Sequence, residues 1–111
     1  MTADPPYYAV IFTSKRTSSQ EAAYREMAGE MMELAKAQPG FLGVDHARGE
    51  VGITVSYWDS LESIARWKSE ARHRAAQAKG RDVWYASYTI RICRVERVYC
   101  FDRDGPEAPG A

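Results

Sequence analysis

The sequence predicts an α+β domain of ferredoxin-like type, with the order strand–helix–strand–strand–helix–strand and one antiparallel sheet. Three observations predict it. Apolar stretches with strand character alternate with two long segments of helical periodicity. A short glycine-containing turn, Arg48-Gly49-Glu50, joins the two middle strands as a hairpin. Two βαβ-like halves joined by a hairpin place all four strands in one sheet, with both helices on one face.

The elements follow in order. Strand one is Tyr7 to Ser14, nearly continuously apolar, as expected of a strand packed on both faces. Ser18 and Glu21 fit a capping box: the serine oxygen accepts an orphan helix N–H and the glutamate reaches back. Helix one then runs to about Ala37, with Tyr24, Met27, Ala28, Met31, Leu34 and Ala35 forming one apolar stripe. Pro39-Gly40 stops it. Strand two is Phe41 to Ala47 and strand three is Val51 to Trp58, whose alternation sends Tyr57 and Trp58 to opposite faces. Asp59 with Glu62 reads as a second capping box. Helix two is expected from Ser60 to about Lys79, with Gly80 as its stop. Leu61, Ile64, Lys68, Ala71, Ala75 and Ala78 share one face, the lysine lying along it by its aliphatic stem. Strand four is expected from Tyr85 to Phe101, rich in β-branched and aromatic residues.

Length and composition narrow the classes of function. A chain of 111 residues fits one domain, expected over residues 7–101 with flexible termini at 1–6 and 102–111. Such a chain buries roughly 60–70% of its unfolded surface and needs no metal or disulfide staple. Net charge is zero and no run exceeds two consecutive Lys or Arg, which argues against a nucleic-acid partner. No apolar run approaches the roughly 18 residues of a membrane helix, and MTADPP lacks the features of a signal peptide. No membrane partner and a cytoplasmic location are therefore expected. Cys93 and Cys100 fall in one strand, about 23 Å apart if extended. A disulfide needs Cα atoms within about 7 Å, so they do not pair there. No cysteine–histidine cluster suggests zinc. A sheet apolar on both faces but covered by helices on one predicts a homodimer that covers the other.

The segment from Pro39 to Tyr85 carries a resemblance. Pro39-Gly40-Phe41, then Tyr57-Trp58-Asp59 closing strand three, then Trp67 and His73-Arg74 on the next helix resemble the antibiotic biosynthesis monooxygenase family. The resemblance extends from about Tyr7 to Phe101. It implies a βαββαβ protomer, a dimeric α/β barrel, and a pocket between helices and sheet. Its cofactor-independent oxygenases carry a Trp on this helix, an Asn one turn before and a Tyr six residues after. Here Trp67 keeps the Trp, while Ser63 and His73 stand at the other two places. Its haem-degrading members place a ligating His where this chain has Gln77, a poor iron ligand.

The candidate site follows from these residues. Trp67 is the wall for a flat aromatic ligand; packing is its plainer reading. His73 is the one histidine in a helix, and an imidazole can act as the base toward a phenol. On a straight helix it lies about 120° from Trp67, so sharing a pocket requires a helix break near Ser69. Arg91 is the expected stabiliser of an enolate or other anion, with Arg94 as its neighbour and ion pairing as the plainer role. Ser63, Ser56 and Met31 are the expected substrate-lining residues, with Thr54 on the same strand face as Ser56. Met27, Met31 and Met32 also read as flexible core filler. His46, Tyr85 and Tyr88 read as surface or packing residues. The expected function is a monooxygenase-like enzyme, without cofactor or metal, acting on a small aromatic or quinone-like molecule. The alternative is a non-catalytic dimeric protein that binds a small apolar or aromatic ligand or acts in a stress response, and haem binding ranks third.

Overall fold

The computed structural model describes residues 3–17, 21–78 and 85–104, without the side chains of 74–78. Its elements run β1 (Tyr7–Arg16), α1 (Glu21–Ala37), β2 (Phe41–Ala47), β3 (Gly52–Trp58), α2 (Leu61–Ala78) and β4 (Tyr85–Val95). The strands form one antiparallel sheet in the order β2-β3-β1-β4. This is the ferredoxin-like order, with β1 in the centre.

Strand register decides what each face carries, because opposed residues of an antiparallel pair share a face. Tyr8 pairs with Trp58, Val10 with Ser56 and Phe12 with Thr54. On the other side Val10 pairs with Ile92 and Phe12 with Ile90. The helices cover this face: Val10 and Trp58 form the buried core with Ala35 of α1 and Ile64 of α2. Tyr8, Phe41 and Trp67 pack against that core. The opposite, open face carries Ile11, Val55, Tyr57, Ile53, Arg91 and Cys93. Tyr57 and Trp58 therefore do point to opposite faces.

The α1 stripe is as expected, with Tyr24 and Ala35 buried and the methionines and Leu34 half-buried. Elsewhere the structure corrects the sequence reading. Strand β1 runs two residues further, to Arg16, because Lys15 and Arg16 still find partners in Ser87 and Tyr85. Strand β3 begins at Gly52 rather than Val51. Strand β4 ends at Val95, not Phe101. Its partner there is Tyr7, and the residues before Tyr7 are Pro5 and Pro6. Proline offers no N–H to a ladder, so pairing stops.

On α2 the expected stripe holds at Ile64, Lys68 and Ala71 but fails at Leu61, and Ser63 joins it. Leu61 is 52% exposed, while Ser63 and Ile64 are 1% and 2% exposed. Trp67, Lys68 and Ala71 continue that face, half-buried. The cap is Ser60, one residue later than expected: its Oγ accepts the Ser63 N–H at 3.1 Å. The expected Ser18 cap, the Gly80 stop and the side chains of Ala75, Gln77 and Ala78 lie outside the described residues.

Candidate functional site

Two sites can be built from the residues upward. The first lies between helices and sheet, where α2 crosses the end of β3. Strand alternation drives the Trp58 indole inward until none of it is exposed. Phe41 meets it edge-on at 5.4 Å between ring centroids. Helical spacing brings Trp67 over it at 5.4 Å with the planes 35° apart. The two indole N–H groups differ in their situation. Trp58 Nε1 donates to Ser56 Oγ at 2.9 Å. Trp67 Nε1 is buried and has no hydrogen-bond acceptor among the described residues. Buried donors almost always find a partner, which sets this indole apart from that of Trp58.

The other expected site residues are placed as follows. Ser56 is buried on the helix-covered face, and Thr54, two residues earlier on the same face, is half-buried. Met31 is half-buried on the inner stripe of α1. Ser63 is buried, but its hydroxyl is committed locally. It donates to Asp59 Oδ1 at 2.6 Å and accepts from Ser60 at 3.0 Å and Arg66 at 3.2 Å. That donor, foremost, holds the Asp59 carboxyl below the usual carboxylate range. His73 is exposed, and α2 continues without a break through Ser69. Arg91 pairs with Ile11 on the open face, on the other side of the sheet from Trp67. Arg94 pairs with Glu96 at 3.2 Å and His46 is exposed. One protomer thus brings together Trp67, Trp58 and Ser56, and leaves His73 and Arg91 apart from them.

The second cluster escaped the sequence reading. At the far end of the sheet Arg16 lies with its Cζ 3.4 Å over the Tyr24 ring. Arg48 donates from Nη2 to the Tyr24 hydroxyl at 2.9 Å. Tyr85 meets Tyr24 edge-on at 5.8 Å, and burial pushes the Tyr85 hydroxyl well above its ordinary pKa. The signal available in sequence was weak: one arginine at a strand end and one in a turn. Among the described residues no three of His, Cys, Asp and Glu converge as a metal-ligand set. No helix among them is long and apolar enough to cross a membrane.

Comparison with known proteins identifies the kinship. The chain is 49% identical over 105 residues to the protein YqjZ of Bacillus subtilis, covering 93% of this chain and 91% of that one. It is 30% identical over 92 residues to a jasmonate monooxygenase of Pyricularia oryzae. That match covers 79% of this chain but 43% of the fungal protein, so the chain spans less than half of that relative. Its fold is similar to SnoaB, a cofactor-independent oxygenase from Streptomyces nogalater, with a TM-score of 0.68 at 9% identity over 85% of this chain and 97% of that one. It is also similar to PA3566 of Pseudomonas aeruginosa, with a TM-score of 0.65 at 13% identity over 87% and 99%. The family model for antibiotic biosynthesis monooxygenases matches residues 7–79. With most of its length matched by that model, the chain belongs to the antibiotic biosynthesis monooxygenase family.

Proposed function

We propose that this protein is a cofactor-independent monooxygenase-like enzyme that takes a small aromatic or quinone-like molecule beside Trp67. One observation carries the reading: a buried indole N–H with no acceptor among the described residues, stacked on Trp58 in the covered space of a monooxygenase-family fold. A flat substrate stacks on the Trp67 ring and accepts that N–H on a carbonyl or phenolate oxygen. Ser56 and Met31 serve as further lining. The ionised substrate itself supplies electrons to O₂. An anthrone methylene becomes a carbonyl, with one oxygen atom retained and the other released as water. The protein contributes a dry pocket and a donor for the developing oxyanion.

The working unit in this proposal is a homodimer, its partners packing through the open sheet face. His73 enters as the base, and Arg91 as the anion stabiliser, only in a ligand-bound or dimeric state that brings them to the substrate. Their separation from Trp67 in one protomer favours a second reading, a dimeric protein that binds such molecules without turning them over.

Oxygen uptake with a panel of phenols and anthrones tests both. The enzyme reading expects turnover that falls about tenfold or more in Trp67→Phe, which keeps the ring and loses the donor. Loss in His73→Ala as well assigns the base; retention assigns it elsewhere. Saturable binding with no uptake by the wild type overturns the enzyme reading and supports the second.

A further inference from the structure

At the end of the sheet remote from the tryptophans, an open cleft of about 540 Å³ lies between the end of β1, the β2–β3 turn and the start of β4. Ser14, Lys15, Arg16, Glu21, Arg48 and Glu50 line it, with Gly52 beside Ser14. This is a separate place. Trp58 pairs with Tyr8 and Gly52 with Ser14, so the two places are six residue steps apart along the strand, roughly 20 Å.

The cleft gathers Lys15, Arg16 and Arg48 around two carboxylates, Glu21 and Glu50, and Glu21 feels both Arg16 and Arg48. Among the described residues, Lys15 and Arg48 have no carboxylate in ion-pair range. Arg16 gives only Nη1 to Glu21, at 3.1 Å, and Glu21 is shared with Arg25 at 3.7 Å. Nε and Nη2 of Arg16 are buried and have no hydrogen-bond acceptor among the described residues. Those two nitrogens present parallel N–H groups on one edge of the planar guanidinium. That edge takes a carboxylate or phosphate two oxygens at a time. Tyr24 fixes the arrangement. Its ring carries Arg16 at 3.4 Å and Arg48 at 5.2 Å, and its hydroxyl accepts from Arg48. One phenol thus holds two guanidinium groups toward one cleft. Glu21 offsets part of the repulsion between them, but buried donors without an acceptor remain costly.

We propose that this cleft is a second binding site, taking the carboxylate or phosphate group of a small molecule on the Nε/Nη2 edge of Arg16. Arg48 and Lys15 flank the oxyanion with charge. The Arg16 edge carries almost no accessible surface, so binding includes a small movement of its side chain toward the ligand. The inference is independent of the oxygenase reading.

Its test is the Nε–H resonance of Arg16 in the ¹⁵N-labelled full chain. The protein is titrated with inorganic phosphate and, separately, with benzoate, at constant ionic strength against chloride. A saturable shift of the Arg16 resonance is expected with at least one of the two, and which one responds identifies the oxyanion. Arg16→Lys keeps the charge but not the fork, and in that variant, followed by the backbone amide resonances of Lys15 and Gly49, saturation should be lost. Arg48→Gln, at an exposed turn, should weaken binding about tenfold and decides the matter even if the Arg16 variant fails to fold. Shifts no larger than those with chloride, or equal in wild type and Arg48→Gln, overturn the proposal.

Discussion

Gly40 ties the start of β2 to the cap of α2. Its φ is +90°, and an added Cβ would overlap Ser63 Oγ and Asp59 Oδ1. Its carbonyl also accepts the Asp59 N–H at 2.9 Å. Gly40→Ala should therefore destabilise by about 1–3 kcal/mol, read as a lower urea midpoint; an unchanged midpoint would show that the turn relaxes freely. The neighbouring Asp59 gives a pH prediction. Its carboxyl is held low in the folded state, first by Ser63, then by Ser60. The stability it contributes is present above its ordinary value of 3.8 and is lost as pH falls through the lower folded-state value. In Ser63→Ala the Asp59 carboxyl should titrate closer to 3.8, as followed by carboxyl NMR. On the open face the Tyr57 hydroxyl, desolvated and donating to Asp45 at 2.8 Å, is pushed up to about 12. Residue types flagged Trp67 and Ser56 as site candidates. They did not show that Ser56 serves Trp58, or that the Ser63 hydroxyl is consumed by Asp59, because both depend on side-chain rotation within a packed turn.

At the scale of elements, α1 was legible and α2 only partly so. The α1 stripe contains strong apolar residues at regular steps, so one face wins clearly. Helix α2 has few, and alanines spread across its sequence leave the phase open; Ser63, buried through its cap bonds, is polar and misleads the periodicity. Ile64→Ala should cost about 2–5 kcal/mol, whereas Leu61→Ala should change stability by less than about 0.5 kcal/mol. Denaturant melts of the two variants test the observed phase, and a cost at Leu61 as large as at Ile64 would return Leu61 to the buried face. The overlong reading of β4 has a similarly plain cause. Residues after Val95 keep strand character, but strands need partners, and Pro5 and Pro6 end the one available.

For the molecule as a whole, the open face and the outer strand matter most. Ile53 is exposed on the open face, and Tyr88, Ile90 and Ile92 are exposed on β4. A sheet with helices on one side was readable from element order alone, and so was the need to cover the other side. If two copies cover it, Ile53→Glu should shift sedimentation toward the monomer while the fold, by circular dichroism, persists. A wild-type monomer at micromolar concentration would contradict the dimer. The central claim, however, concerns the inner face: Trp67 offers its indole N–H to a flat aromatic ligand. The most direct measurement follows the indole N–H resonances while an anthrone is added. The account predicts that the Trp67 resonance moves furthest and saturably, with Trp58, already bonded to Ser56, moving less. Binding that leaves the Trp67 resonance in place, or no binding across a panel of anthrones and phenols, would contradict it.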